Sequence, residues 1–207
     1  MEQHAITSLT NARVKNVVKL RQRQHRDALG QMLIEGFREI TRALENGHPL
    51  DEFFYCEALF QGENNAALLE RAESAGARLV SCTAPVFKKM SYRDRPDGLL
   101  AIAPQVRHEL SDLSLEKAPF IVIAEAIEKP GNLGTILRSS DAAGVDAVIV
   151  CDRCTDINNP NVVRASIGTL FSLPVVETTG AEALAWLRAN DIQTVATTPH
   201  TDTLYND

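Results

Sequence analysis

An asparagine and an arginine, Asn132 and Arg138, stand within the stretch Glu128-Lys129-Pro130-Gly131-Asn132-Leu133-Gly134-Thr135-Ile136-Leu137-Arg138. The stretch follows an apolar run, Phe120-Ile121-Val122-Ile123-Ala124, that reads as a buried strand, and it opens a segment that reads as a helix over 132–143. In open α/β sheets such a turn is where ligands collect. Gly131 and Gly134 let a backbone approach a ligand closely. A helix start favours an anion, and Asn132 adds a side-chain donor and acceptor at the expected cap position. Six residues make about one and two-thirds helical turns, so the two side chains share a side only if the turn bends toward Arg138. An ordinary cap followed by a surface arginine also fits that spacing.

A second polar cluster follows the next strand-like run, Ala147-Val148-Ile149-Val150. It reads Asn158-Asn159-Pro160-Asn161-Val162-Val163-Arg164-Ala165-Ser166-Ile167-Gly168 and puts Asn161, Arg164 and Ser166 near the carboxyl edge of the same sheet. Close helix packing is an equal explanation for Ser166 and Gly168. Other constellations are missing from the sequence: there is no phosphate-binding Gly-x-x-x-x-Gly-Lys, no dinucleotide Gly-x-Gly-x-x-Gly and no Gly-x-Ser-x-Gly elbow. Cys151-x-x-Cys154 has no second pair to complete a zinc site, so no metal is expected. The histidines at 4, 25, 48, 108 and 200 are scattered at turns or termini.

Alternating elements must hold these clusters. Helices are expected over 9–26, 36–46, 65–75 and 85–90, and strands over 31–34, 52–56, 78–81 and 99–103. The alternation predicts a small α/β unit with a largely parallel sheet over residues 1–104. A polar linker covers 105–118. A second alternation fills 119–207, with strands at 120–125, 147–151, 173–177 and 193–197 and helices at 132–143, 161–171 and 181–190. No helix follows the last strand, although parallel sheets are covered on both faces, so this second domain reads as C-terminally incomplete.

The chain has 207 residues, 44% of them hydrophobic, as ordinary globular proteins do. No apolar run approaches the roughly 20 residues of a membrane span. A start without a basic, apolar leader and the few cysteines point to the cytoplasm. The net charge of −6 argues against a nucleic-acid partner, but the distribution reverses the argument. Arg13, Lys15, Lys19, Arg21, Arg23 and Arg26 crowd one early segment, and a local basic face can bind phosphates inside an acidic protein. Val14, Val17, Val18 and Leu20 on that segment fit a solvated amphipathic helix equally well.

Pro130–Gly144 resembles the first signature of the SpoU/TrmH family of RNA 2′-O-ribose methyltransferases, in the SPOUT superfamily, and Asn161–Phe171 resembles the Arg-Ala-Ser-x-Gly stretch that follows it. Ile34-Glu35-Gly36-Phe37-Arg38-Glu39-Ile40 and Arg95-Pro96-Asp97-Gly98-Leu99-Leu100-Ala101 are similar to the family's small substrate-binding domain. The resemblance implies an α/β knot domain that binds S-adenosylmethionine, a homodimer, and an RNA substrate, ribosomal RNA before transfer RNA. It implies that Arg138 handles the reacting hydroxyl and Asn132 helps place it. Thr197, Thr198 and Pro199 would line one wall of the cofactor pocket. Arg13, Lys15, Arg38, Arg93, Arg164 and Ser166 are the expected RNA contacts. The family's Gly-x-Glu-x-x-Gly and Ser-Leu-Asn signatures are not among these residues, so this 207-residue form is expected to bind the cofactor very weakly or not at all. Two alternatives remain at this point: an RNA-binding module without catalysis, and a nucleotide-using α/β enzyme in which Asp152 contacts a ribose.

Overall fold

Two sheets organise the chain in the computed structural model, which describes residues 5–114, 118–152 and 155–197. The first sheet holds β1 (Gln31–Glu35), β2 (Glu52–Tyr55), β3 (Arg78–Ser81) and β4 (Leu99–Pro104) in the order β1-β4-β2-β3. β1, β2 and β3 run in one direction, but only β2 and β3 are parallel neighbours; β4 runs antiparallel to both β1 and β2. This corrects the expected largely parallel sheet. Helix–strand alternation does not fix which end a strand enters, and β4 enters between β1 and β2 from the opposite end. It is the most apolar strand, with Leu99 to Ala103 all buried, which suits its central place.

Helices α1 (Ala12–Lys19), α2 (Arg23–Leu29), α3 (Phe37–Glu45), α4 (Asn65–Ser74) and α5 (Ala84–Met90) surround this sheet. The single early helix expected over 9–26 is broken. Gln22 is extended (ψ 131°), and the Arg21 guanidinium donates to the carbonyls of Lys89, Met90 and Ser91 at 2.7–3.1 Å. That tie to the end of α5 turns the chain between α1 and α2.

The second sheet is parallel, in the order β5-β6-β7, with β5 (Ile121–Glu125), β6 (Ala147–Cys151) and β7 (Val175–Thr178). Helices α6 (Pro130–Ala142), α7 (Pro160–Ala165) and α8 (Gly180–Ala189) connect and cover it. The strand expected over 193–197 does not form. Asp191 turns left-handed after α8 (φ 54°), and the segment then lies in solvent with Val195 82% exposed. Its apolar residues find no neighbouring strand to pair with among the described residues. No helix among the described residues is long and apolar enough to cross a membrane.

One core runs through both units: Met32, Ile34, Ile40 and Leu99 join Leu133, Leu137, Val162, Val163 and Leu170. Polar ties reinforce the junction. Arg26 and Asp156, 1% and 5% exposed, pair at 2.5 Å. Asn158 accepts from the Val106 N–H (2.8 Å) and donates to its carbonyl (3.1 Å), as a neighbouring strand would. Arg42 reaches Asp141 at 3.1 Å, and Ser172 donates to the same carboxylate at 2.7 Å.

Candidate active site

Helix α6 begins where its sequence dictates, with Pro130 at its first position, where the fixed φ suits a helix and a missing N–H costs nothing. Lys129, not Asn132, occupies the cap position, so Asn132 is the third residue of the helix, within its first turn. This corrects the expected capping role. Pro130 brings no N–H, and the Asn132 N–H already donates to Lys129 O at 3.0 Å. The helix start therefore offers an anion less than its glycines suggested.

The helix buries Leu133, Gly134, Leu137 and Ser140 and exposes Asn132, Thr135 and Arg138. Steps of three residues rotate by about 60° and rise about 4.5 Å, so the three exposed residues form one slanted stripe. Side chains on a helix lean toward its N-terminus, the direction in which Asn132 lies from Arg138. Thr135 fills the gap, with its hydroxyl donating to Gly131 O at 3.0 Å. Three-residue spacing in Asn132-x-x-Thr135-x-x-Arg138 was the signal for it, and reading only the two ends missed it.

Gly134 brings the second cluster to this helix. A β-carbon there would stand 2.4 Å from Ala165 Cβ and 2.8 Å from Ser166 N, so α6 and α7 cross at backbone distance. Asn159 caps α7, accepting from the Asn161 N–H at 2.9 Å. Asn161 and Arg164 are exposed on α7. Ser166 is not available to RNA: it is fully buried and its hydroxyl donates to Val163 O at 2.9 Å. The helix-packing explanation holds for it. Gly168, at φ 78°, lies against α3, where an added β-carbon would be 3.1 Å from Arg42 Cβ and Glu39 Cα. Ile167 is also left-handed, at φ 53°, a conformation that is a true outlier for a β-branched residue and costs of order 1–3 kcal/mol.

The expected RNA contacts divide into free and committed groups. Lys15 and Arg38 are exposed on α1 and α3. Arg13 is half-buried and pairs with Glu52 at 3.3 Å. Arg93 is committed inside: it pairs with Glu39 at 2.7 Å and Asp97 at 3.7 Å and donates to Glu35 O at 2.7 Å. That removes it from the phosphate contacts. Arg21 and Arg26 of the basic segment are likewise structural. Burial lifts the Glu35 and Glu39 carboxyls above their usual range, against the pull of Ser91, Tyr92 and Arg93 on the first and of Arg93 on the second. Both belong to this scaffold beneath Arg38.

Thr197 is exposed coil, and Thr198 and Pro199 lie outside the described residues. A cleft of about 550 Å³ does touch the carboxyl edge at Asp152, Thr178 and Thr179. Its lining includes Asp27, Glu109 and Glu177 and neither Asn132 nor Arg138. Cys151 is buried and Cys154 lies outside the described residues, and no group of His, Cys, Asp and Glu among the described residues could hold a metal.

Comparison with known proteins decides the family. Residues 11–101 match an MRM3-like substrate binding domain, and residues 119–207 match the SpoU rRNA Methylase family. An uncharacterized tRNA/rRNA methyltransferase of Synechocystis sp. is 33% identical over 205 residues, covering 97% of this chain and 73% of that one. The chain belongs to the SpoU rRNA methylase family. The crystal structure of an RNA 2′-O ribose methyltransferase superposes with a TM-score of 0.81 at 38% identity, over 98% of this chain and 76% of that one. An AdoMet-bound rRNA methyltransferase from Sinorhizobium meliloti gives 0.80 at 28% identity, over 90% and 69%. The α/β architecture, with a substrate-binding unit ahead of a parallel-sheet methylase unit, is that of the SPOUT methyltransferases.

Proposed function

We propose that the protein is an S-adenosylmethionine-dependent methyltransferase that modifies a ribose 2′-hydroxyl in ribosomal RNA. The observation that carries this reading is the exposed Asn132–Thr135–Arg138 stripe, held by Gly134 against the helix that presents Arg164. S-adenosylmethionine supplies an electrophilic methyl group when bound. The chain's own residues handle the other reactant. The hydroxyl must lose a proton, to a neighbouring phosphate or to water, and negative charge grows on its oxygen. A guanidinium, with a pKa above about 12, is a poor base. Arg138 instead holds a neighbouring phosphate and stabilises the developing oxyanion. Asn132 orients the ribose through its amide. Residues 1–104 deliver the RNA, with Lys15 and Arg38 on phosphates and Arg13 beside them, and Arg164 serves the same purpose on α7.

The family relationship supports a homodimer, which sedimentation tests. A reducing compartment suits the buried free thiols Cys56, Cys82 and Cys151 among the described residues and supports the cytoplasm, which fractionation tests. The exposed coil at Thr197 favours a second reading, an RNA-binding scaffold without catalysis. Calorimetry separates the two, because the scaffold alone shows no heat with S-adenosylmethionine. For the first reading, Arg138→Ala loses methyl transfer and keeps its melting temperature, while Arg138→Lys keeps RNA affinity and recovers only part of the rate. Full turnover by Arg138→Ala ends the role given to that residue.

A further inference from the structure

A cleft of about 450 Å³ opens at the junction of the two units, away from the α6 stripe. Its walls include Phe37 and Arg38 from the start of α3, Gln61 and Asn64 from the segment leading into α4, with the exposed Glu63 between them, and Ile167 from beyond α7. We propose that this cleft receives one unstacked nucleotide of the RNA. The proposal rests on the RNA reading above and adds the form of the substrate: single-stranded or flipped out where it crosses from one unit to the other.

Several observations converge on that ligand. The volume lies within the range of small-molecule sites, which favour domain junctions. Phe37 is half-buried and Ile167 is half-buried, so each supplies an apolar surface for the face of a base. Gln61 and Asn64 are exposed amides, each able to donate and accept along a base edge. Gln61 also donates to Pro96 O at 3.3 Å, which holds its amide in place and leaves its oxygen to accept. Asn64 makes no side-chain bond to the helix it precedes. Arg38 is exposed and takes part in no ion pair among the described residues, which leaves it for a phosphate at the rim. The deeper Arg93 is neutralised by Glu39 and Asp97, so the interior favours an uncharged base over a buried phosphate. Ile167 faces this cleft from a left-handed backbone, and such strain persists where the surroundings enforce it, often at ligand contacts.

The test uses the whole chain, a single-stranded ten-nucleotide RNA and a blunt RNA duplex of the same sequence, with affinities read by fluorescence anisotropy. The double variant Gln61→Ala/Asn64→Ala changes only exposed side chains, and Phe37→Leu keeps apolar volume while removing the aromatic face. Each is expected to weaken single-strand binding by about fivefold to a hundredfold, the range set by base contacts, with duplex affinity within about twofold of the parent. Unchanged single-strand affinity in both variants overturns the cleft while leaving the RNA reading in place. Equal losses on both RNAs overturn it too, since they locate the residues on the phosphate path. A parent protein that binds neither RNA removes the RNA reading itself, and the cleft with it.

Discussion

Replacing Gly134 by alanine should part the two helices that carry the candidate site. Gly134 is not left-handed, so its backbone tolerates a side chain and gains up to about 1 kcal/mol of helix propensity. The new methyl has nowhere to go. It would lie 2.4 Å from Ala165 Cβ and 2.7 Å from the Ala165 carbonyl carbon, neither of which ends a flexible side chain. Carbon contacts settle at about 3.5–4.0 Å, so α6 and α7 must separate by roughly 1 Å. That opens the packing of Leu133 and Leu137 in the core they share with Val162 and Val163. Overpacking of this kind costs about 1–3 kcal/mol, and we take about 2 kcal/mol as the net loss after the helical gain. At this chain length each kcal/mol lowers the melting temperature by about 2–4 °C, so a drop of roughly 4–8 °C is expected by calorimetry. A shift of about 1 Å between Arg138 and Arg164 should also slow methyl transfer by around a hundredfold. Gly131→Ala is the control, because nothing lies within 4 Å of the place its β-carbon would take. It should melt at or slightly above the parent. A Gly134→Ala protein that melts no lower than Gly131→Ala would refute the close crossing and the reasoning built on it.

Further outcomes can be checked with the same protein. Arg26→Ala leaves Asp156 buried without its partner and should cost about 3–5 kcal/mol in urea unfolding, far more than Arg23→Ala at an exposed pair. Burial, partly offset by hydrogen bonds and Arg93, raises the folded pKa of Glu35 and Glu39 above 4.5, so the stability they contribute is full below that value and is lost as pH rises through the folded pKa. A carboxyl-carbon NMR titration should place both above 4.5, and Glu182, which accepts from Thr178 and Thr179, below it. Burial pushes the Cys82 thiol up to about 12, so iodoacetamide at mildly alkaline pH should leave it unlabelled in the folded protein and label it in urea, as read by mass spectrometry.

Element positions were legible because apolar periodicity is local: β3 and β6 stand where the pattern put them, and most other elements differ by a residue or two. Strand direction was not legible, because β4 takes its place from long-range pairing with β1 and β2. The early helix misled for a related reason, since Arg21 bonds to carbonyls of residues 89–91, far away in sequence. At the candidate site, type and spacing single out Asn132, Arg138 and Arg164, and the structure leaves all three exposed. Ser166 and Arg93 have the same chemistry as free contacts, and only burial and partners show that they are structural. Asp156 and Asn158 went unread because their partners, Arg26 and Val106, belong to a different stretch of chain.

The α6 stripe is proposed to serve attack by a ribose hydroxyl. The most direct measurement incubates the protein with ribosomal RNA and labelled S-adenosylmethionine in millimolar excess, then maps the label after alkaline hydrolysis. Label is expected in alkali-resistant dinucleotides, the mark of a 2′-O-methyl group, and is expected to be lost in Arg138→Ala. Label on a base, or undiminished ribose label from Arg138→Ala, would contradict it.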